Sequence, residues 1–220
     1  MTSLCAHKKP VLDCSFQKEY KSLRGFDNHM ARQKEFDRNE ALQKAMEVFW
    51  SRGFEAASIQ DLVEHMGINR QSLYDTYGDK HALYLQALDR YREVEGRKIV
   101  EVLEQPGSVK RNLRQLFEIA IEKALSNRRG CFMGNATSEL AGRCKATAAR
   151  TCGNMDAAHE ALYRALLRGK KEGELKRIRD PRAVARFLYS SLQGLVLTGK
   201  GTQDRKTLND IATVTLSVLE

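Results

Sequence analysis

Side chains that could bind nucleic acid are concentrated between residues 58 and 80. Asn69 can cap a helix that begins at Arg70, because its side-chain oxygen can accept a hydrogen bond from a free backbone N–H group. The outer face of that short helix would carry donors and acceptors able to reach phosphates or base edges. The candidate DNA-contacting residues are Ser58, Gln60, Asn69, Arg70, Gln71, Ser72, Tyr74, Thr76, Tyr77 and Lys80.

A second helix must hold this one in place. Ser58 and Asp61 have the spacing of a capping box, and the apolar residues that follow recur at helical intervals at Ile59, Leu62, Val63 and Met66. Gly67 comes next, where a left-handed residue commonly ends a helix. The segment therefore predicts a helix-turn-helix whose second helix enters the major groove of DNA. The alternative is an ordinary polar turn between two helices of a bundle.

The chain from Ala41 to Lys80 resembles the TetR family of one-component bacterial regulators. The likeness begins with an amphipathic stretch that closes in an Arg-Gly-aromatic turn, and it continues in order through 41–54, 57–62, 67–74 and 76–80. The resemblance implies that certain positions bind phosphates, namely Ser58, Tyr74, Thr76 and Lys80. It implies that others face bases, namely Arg70, Gln71 and Ser72. Gln71 replaces the glycine often found at its position, so its side chain either reads a base or is merely tolerated.

The net charge of +9 does not decide between these interpretations. Residues 30–90 contain eight Lys and Arg against ten Asp and Glu, so the excess of positive charge lies elsewhere. A helix-turn-helix can still bind DNA, because helix N-termini and a few placed cations hold the phosphates. No run of 18 apolar residues and no secretory signal are evident, so we predict a cytoplasmic protein without a membrane partner.

The composition predicts an all-α fold with two domains. Residues 30–80 would form a three-helix domain that contains the helix-turn-helix, and residues 81–220 a larger helical domain. The family resemblance implies that this larger domain binds a ligand and forms the dimer. Helices are expected at about 79–103, 108–126, 130–140, 144–172, 180–199 and 204–219. Residues 1–29 are expected to be a disordered extension, or to result from an upstream start codon assigned in error. The alternatives are a short packed helix or a DNA-contacting arm that uses Lys8, Lys9, Lys18, Lys21 and Arg24.

The last two helices are apolar over more than one face. The resemblance implies that they form a four-helix interface in a homodimer that binds a pseudo-palindromic operator. The candidate interface residues are Leu188, Ser191, Leu192, Leu195, Val214 and Val218. The alternative for each side chain is burial in the core of its own subunit.

The resemblance also implies an apolar cavity in the larger domain that binds a small-molecule inducer of unknown identity. Occupancy of the cavity would move the heads apart and release the operator, as expected for a repressor. The candidate wall residues are Phe117, Ile121, Cys131, Phe132, Asn135, Ser138, Leu140 and Tyr163. Plain core packing is the alternative for each of them.

The cysteines suggest a different signal. Their spacings match no zinc pattern, and we expect neither a metal nor a cofactor. Cys131 follows Arg128-Arg129-Gly130 near a helix start, and Cys144 and Cys152 also have basic neighbours, as sensor thiols often do. A redox- or electrophile-sensing role through these three residues competes with a role as small apolar fillers. We do not expect an enzyme; a helical thiol enzyme pairing Cys131 or Cys152 with His159 is a remote alternative.

Overall fold

A computed structural model describes residues 36–220, so the expectations for residues 1–29 lie outside the described residues. The described part is built from helices and contains no strand, which confirms the all-α prediction. The helices are α1 (Arg38–Ala56), α2 (Ile59–Met66), α3 (Arg70–Tyr77), α4 (Lys80–Tyr91), α5 (Arg97–Leu103), α6 (Val109–Ser126), α7 (Phe132–Ala136), α8 (Lys145–Lys171), α9 (Pro181–Gly201) and α10 (Arg205–Leu216). We call α1–α3 the head.

Two short π-helical turns lengthen the helices they adjoin. The turn Arg92–Gly96 links α4 to α5, and the caps at both of its ends keep right-handed helical backbone angles. The chain is therefore helical from Lys80 to Leu103, as the sequence predicts. A second turn, Thr137–Ala141, directly follows α7.

The side chains form two apolar clusters. The first unites the head with α4 and α7, and it is centred on aromatic residues such as Phe49, Tyr84 and Phe132. The second unites α5, α6 and α8–α10 around Leu113, Phe117 and a row of leucines. The core of the head thus continues past residue 80 into the larger domain. Among residues 36–220, no helix is both long and apolar enough to cross a bilayer.

Candidate DNA-binding surface and regulatory sites

The α2 helix and its turn hold the recognition helix. Ser58 and Asp61 form a full capping box: the Ser58 Oγ accepts from the Asp61 backbone N at 3.0 Å, and Asp61 Oδ2 accepts from the Ser58 N at 2.9 Å. The Asp61 carboxylate also accepts from the Ser58 hydroxyl, and this bond, the one from the Ser58 N and the Arg52 guanidinium lower the pKa of Asp61. Gly67 ends α2 at φ 72°, in the left-handed region where a side chain would be strained. The capping box thus fixes the start of α2, and the glycine fixes the turn into α3.

The recognition helix α3 begins as expected. Asn69 Oδ1 accepts from the Ser72 backbone N at 2.7 Å, which is the geometry of an N-cap. Leu73 and Tyr77 point inward, and Tyr77 is only 5% exposed. The Tyr77 hydroxyl donates to the Arg38 carbonyl at 2.7 Å. This corrects the expectation for Tyr77: its side chain joins the head core and does not lie on the surface offered to DNA.

The outer face of α3 displays Arg70, Gln71 and Tyr74, all of them exposed. The Gln71 amide donates to the Asp75 carboxylate at 2.7 Å, which leaves the amide oxygen and one N–H for another partner. Ser72 and Thr76 are half-buried at the edge of this face. A continuous polar surface of donors and acceptors therefore runs along a short helix of major-groove size.

The flanking candidates are partly occupied by contacts within the protein. Gln60 donates to Glu64 at 2.7 Å, and the Ser58 hydroxyl donates to Asp61 at 2.7 Å. Lys80 folds back onto the head, where its Nζ lies 3.3 Å from the Glu55 carbonyl and 4.6 Å from the centre of the Phe54 ring. Burial lowers the pKa of Lys80. These side chains must change partners to bind phosphates.

Cys131 lies at the junction between the head and the larger domain. It is a free thiol that caps α7, and its Sγ accepts from the Gly134 N at 3.4 Å. The Tyr91 hydroxyl is 3.7 Å from the same sulfur. Burial, followed by the nearby Cys131, raises the pKa of Tyr91, and the same two causes raise that of Tyr189 to about 12. Neither tyrosine could be identified from the sequence as a neighbour of Cys131, because both lie far from it along the chain and only the fold brings them together.

Most of the candidate ligand-binding residues are distributed over the two apolar clusters. Cys131, Phe132 and Leu140 belong to the cluster of the head, whereas Phe117, Ile121 and Tyr163 belong to the second cluster. Asn135 is bonded at both ends of its amide, to the Arg129 carbonyl at 2.9 Å and to Lys200 Nζ at 3.1 Å. Ser138 is exposed and donates to the Gly134 carbonyl at 3.2 Å. The set therefore divides between two packed regions.

The candidate interface residues fall into a buried group and an exposed group. Leu188, Leu192 and Leu195 are buried within their own subunit, since they face α6 and α8 from the inner side of α9. The corresponding part of the prediction is corrected, because the helical phase turns these leucines inward. Ser191 is half-buried. In this C-terminal region, the exposed large apolar residues are Phe187 and Leu197 on α9, Val214 on α10 and Val218 in the 3-10 turn Ser217–Leu219 that follows α10, and Val214 is 72% exposed. Leu197 was missed, although its spacing from the inward leucines places it on the outer face.

In the described part of the chain, the histidine that contacts a cysteine is His81, not His159 as the enzyme alternative would require. The His81 Nε2 lies 3.2 Å from the Cys144 Sγ, and Cys144 is fully buried. His159 instead packs edge-on against Tyr189, with ring centres 4.9 Å apart, and burial lowers the pKa of its imidazole. Cys152 is half-buried on α8. Over residues 36–220, no group of three or more His, Cys, Asp or Glu side chains is arranged to hold a metal ion.

A helical body joined to a helix-turn-helix head with an exposed recognition helix defines a DNA-binding transcriptional regulator. Comparison with known proteins agrees. Residues 41–87 match the model for bacterial regulatory proteins of the tetR family, and residues 108–214 match the model for the tetracyclin repressor-like C-terminal domain. The chain belongs to the TetR family.

Individual relatives match over most of their length. The uncharacterized HTH-type transcriptional regulator YezE of Bacillus subtilis (strain 168) is 39% identical over 87% of this chain and 100% of that protein. The HTH-type transcriptional repressor ComR of Escherichia coli (strain K12) is 32% identical over 84% of this chain and 90% of that protein. The TetR family regulator CifR, solved as a cysteine mutant with 26-bp double-strand operator DNA, is 30% identical with a TM-score of 0.74 and covers 84% of this chain and 98% of that chain.

Proposed function

We propose that this chain is a cytoplasmic repressor that binds a pseudo-palindromic operator as a homodimer, through a head within residues 30–80, and is released by a signal received in residues 81–220. The exposed face of α3 carries the proposal, because Arg70, Gln71 and Tyr74 project from a helix whose opposite side is buried. The exposed apolar residues of α9 and α10 support the dimer. Two heads would then read half-sites separated by about one helical turn, roughly 34–36 Å.

Two substitutions on α3 test the assignment of the surface. The duplex is first chosen from a random pool by the wild-type protein, and affinities are measured by fluorescence anisotropy. Arg70→Ala should weaken binding to this duplex. Tyr74→Phe should also weaken it, because the Tyr74 hydroxyl is assigned a hydrogen bond to a phosphate. Arg114→Ala is a matched control, since Arg114 is an exposed residue of α6, outside the head. Equal effects of Arg70→Ala and Arg114→Ala would contradict the assignment.

A second candidate for the signal is chemical modification of Cys131. This thiol is half-buried and lies directly beside the helix that closes the head core. An added group on the sulfur would break the contacts with the Gly134 N and the Tyr91 hydroxyl and disturb the start of α7. Modification would therefore alter the packing of α7 against the head. The similar regulator CifR was solved as a cysteine mutant, which supports testing the thiol.

The thiol proposal is tested by alkylation with N-ethylmaleimide, followed by mass spectrometry and a DNA-binding assay. Wild type should lose operator affinity as Cys131 is alkylated, and Cys131→Ser should keep it under the same treatment. Cys144→Ser is the matched control, since this thiol is fully buried and should react slowly. Retention of full affinity by wild type with alkylated Cys131 would refute the thiol signal and leave the small-molecule inducer.

A further inference from the structure

Glu139 belongs to the larger domain, yet its side chain is bonded to the head. Its Oε2 accepts from the Phe54 backbone N at 3.0 Å, and its Oε1 accepts from the Glu55 backbone N at 2.9 Å. The π-helical turn that carries Glu139 directly follows α7. One carboxylate thus joins two consecutive backbone N–H groups that lie 84 and 85 residues away along the chain.

The two N–H groups need such a partner because α1 is broken at Gly53. That residue has φ 81° and ψ 176°, so the helix stops there and a new turn begins at Phe54. The first N–H groups of a helical turn have no partner within it. Glu139 supplies one from another part of the chain, as an N-cap would.

Gly53 also makes room for this contact. A Cβ atom at position 53 would lie 3.0 and 3.1 Å from the two Glu139 oxygens, closer than side-chain atoms normally approach. The glycine therefore serves both its own backbone conformation and the approach of the carboxylate. The Arg52-Gly53-Phe54 turn is therefore one site where the larger domain contacts the head through hydrogen bonds.

A second hydrogen bond supports the same connection. The Trp50 indole donates to the Gly130 carbonyl at 3.0 Å, just before Cys131. The apolar contacts between α1 and α7 hold the head close to the larger domain, and hydrogen bonds add a constraint on its angle because they depend on direction. Charge-assisted hydrogen bonds are directional and stronger than neutral ones. An ion pair between Arg143 and the Glu55 carboxylate at 3.0 Å lies beside them. Glu139 therefore supplies two of the directional contacts that constrain the angle of the head, together with Trp50 and Arg143.

We propose that Glu139 is a positioning residue, which fixes the orientation of the DNA-binding head on the larger domain and so selects the half-site spacing that the dimer accepts. The proposal rests on the proposed function, since it requires a dimer that reads two half-sites. A residue needed only for folding would weaken binding to every duplex alike. A positioning residue changes the preference among spacings.

The test compares three duplexes: the one selected by the wild-type protein, and two derivatives with one base pair added or removed at its centre. One base pair rotates the half-sites by about a tenth of a turn and shifts them by about 3.4 Å. Affinities are measured for the full chain as wild type, Glu139→Ala and Glu139→Gln. The glutamine keeps the shape of the side chain but places an N–H₂ group opposite one of the backbone donors.

We expect both variants to bind the derivatives with a smaller penalty than wild type, reduced about threefold or more, which is the scale of one lost hydrogen bond. Glu160→Gln is the control, because Glu160 is exposed on α8 and pairs with Arg182 on α9 at 3.5 Å, not with the head. An unchanged penalty in both Glu139 variants, or an equal reduction in Glu160→Gln, would overturn the proposal. If wild type selects no palindrome, the proposed function itself fails and the positioning role falls with it.

Discussion

Replacing Asn69 with alanine should destabilise the recognition helix. The Asn69 side chain makes the 2.7 Å cap contact with the Ser72 N, and α3 has only eight residues. Because short helices have little stability of their own, loss of a cap should appear directly in the free energy of unfolding. Such a loss typically costs about 1 kcal/mol, which lowers the Tm of a protein of this size by roughly 2–4 °C.

Asn69→Asp separates the cap from the DNA contact. A carboxylate caps a helix as well as an amide does and interacts favourably with the helix N-terminus, so the free energy of unfolding should match wild type. Beside phosphates the same negative charge is repulsive. Operator affinity should therefore fall by roughly tenfold, or about 1.4 kcal/mol.

The assay combines urea unfolding with fluorescence anisotropy of a labelled operator duplex. Asn39→Ala is the control for stability, because Asn39 is also exposed near a helix start but is held through its backbone N and not through its side chain. Equal stability of Asn69→Ala and wild type would refute the cap. Wild-type affinity in Asn69→Asp would show that Asn69 does not lie near the DNA backbone.

Three further predictions concern the dimer, the pH response and the turn in α1. Leu197→Asp should give a monomer in sedimentation experiments, since Leu197 is 68% exposed on α9. The control Leu167→Asp, on the exposed side of α8, should remain a dimer. A dimer in both variants would exclude the outer face of α9 as the dimer interface. Burial holds the pKa of His159 below its ordinary 6.5, so its contribution to stability is complete above pH 6.5 and is lost as the pH falls towards the folded-state value. His159→Gln should therefore flatten the decline in the free energy of unfolding between pH 7.5 and about 5.5, and a parallel decline would contradict the assignment. Gly53→Ala should cost about 1–3 kcal/mol of unfolding free energy, because φ 81° with ψ 176° suits glycine alone; a change below about 0.5 kcal/mol would contradict the reasoning.

The local signals in the sequence were sufficient to predict the head. Ser58, Gly67 and Asn69 act through neighbours three or four residues away, so their spacing alone predicts the caps and the turn that the structure contains. The helices of the larger domain follow from apolar periodicity in the same way. The all-α fold and the family were therefore predictable, and both are confirmed.

Long-range contacts set the limits of prediction. Leu188, Leu192 and Leu195 share apolar character with the exposed Leu197, and only the packing of α9 on α6 and α8 decides which side faces inward. A tyrosine such as Tyr77 could contact a phosphate by residue type, but its hydroxyl donates to the carbonyl of Arg38, 39 residues away in the chain. Glu139 gave no local signal, because its partners lie 84 and 85 residues earlier in the chain.

The most direct test of the central claim is selection of random DNA duplexes by the purified full chain at physiological salt. We expect enrichment of a palindrome with half-sites about one helical turn apart. Arg70→Ala should reduce that enrichment without changing the helical content of the protein. Absence of any enriched sequence with the folded wild-type protein, or enrichment of a single unpaired half-site, would contradict a dimer that reads DNA through α3.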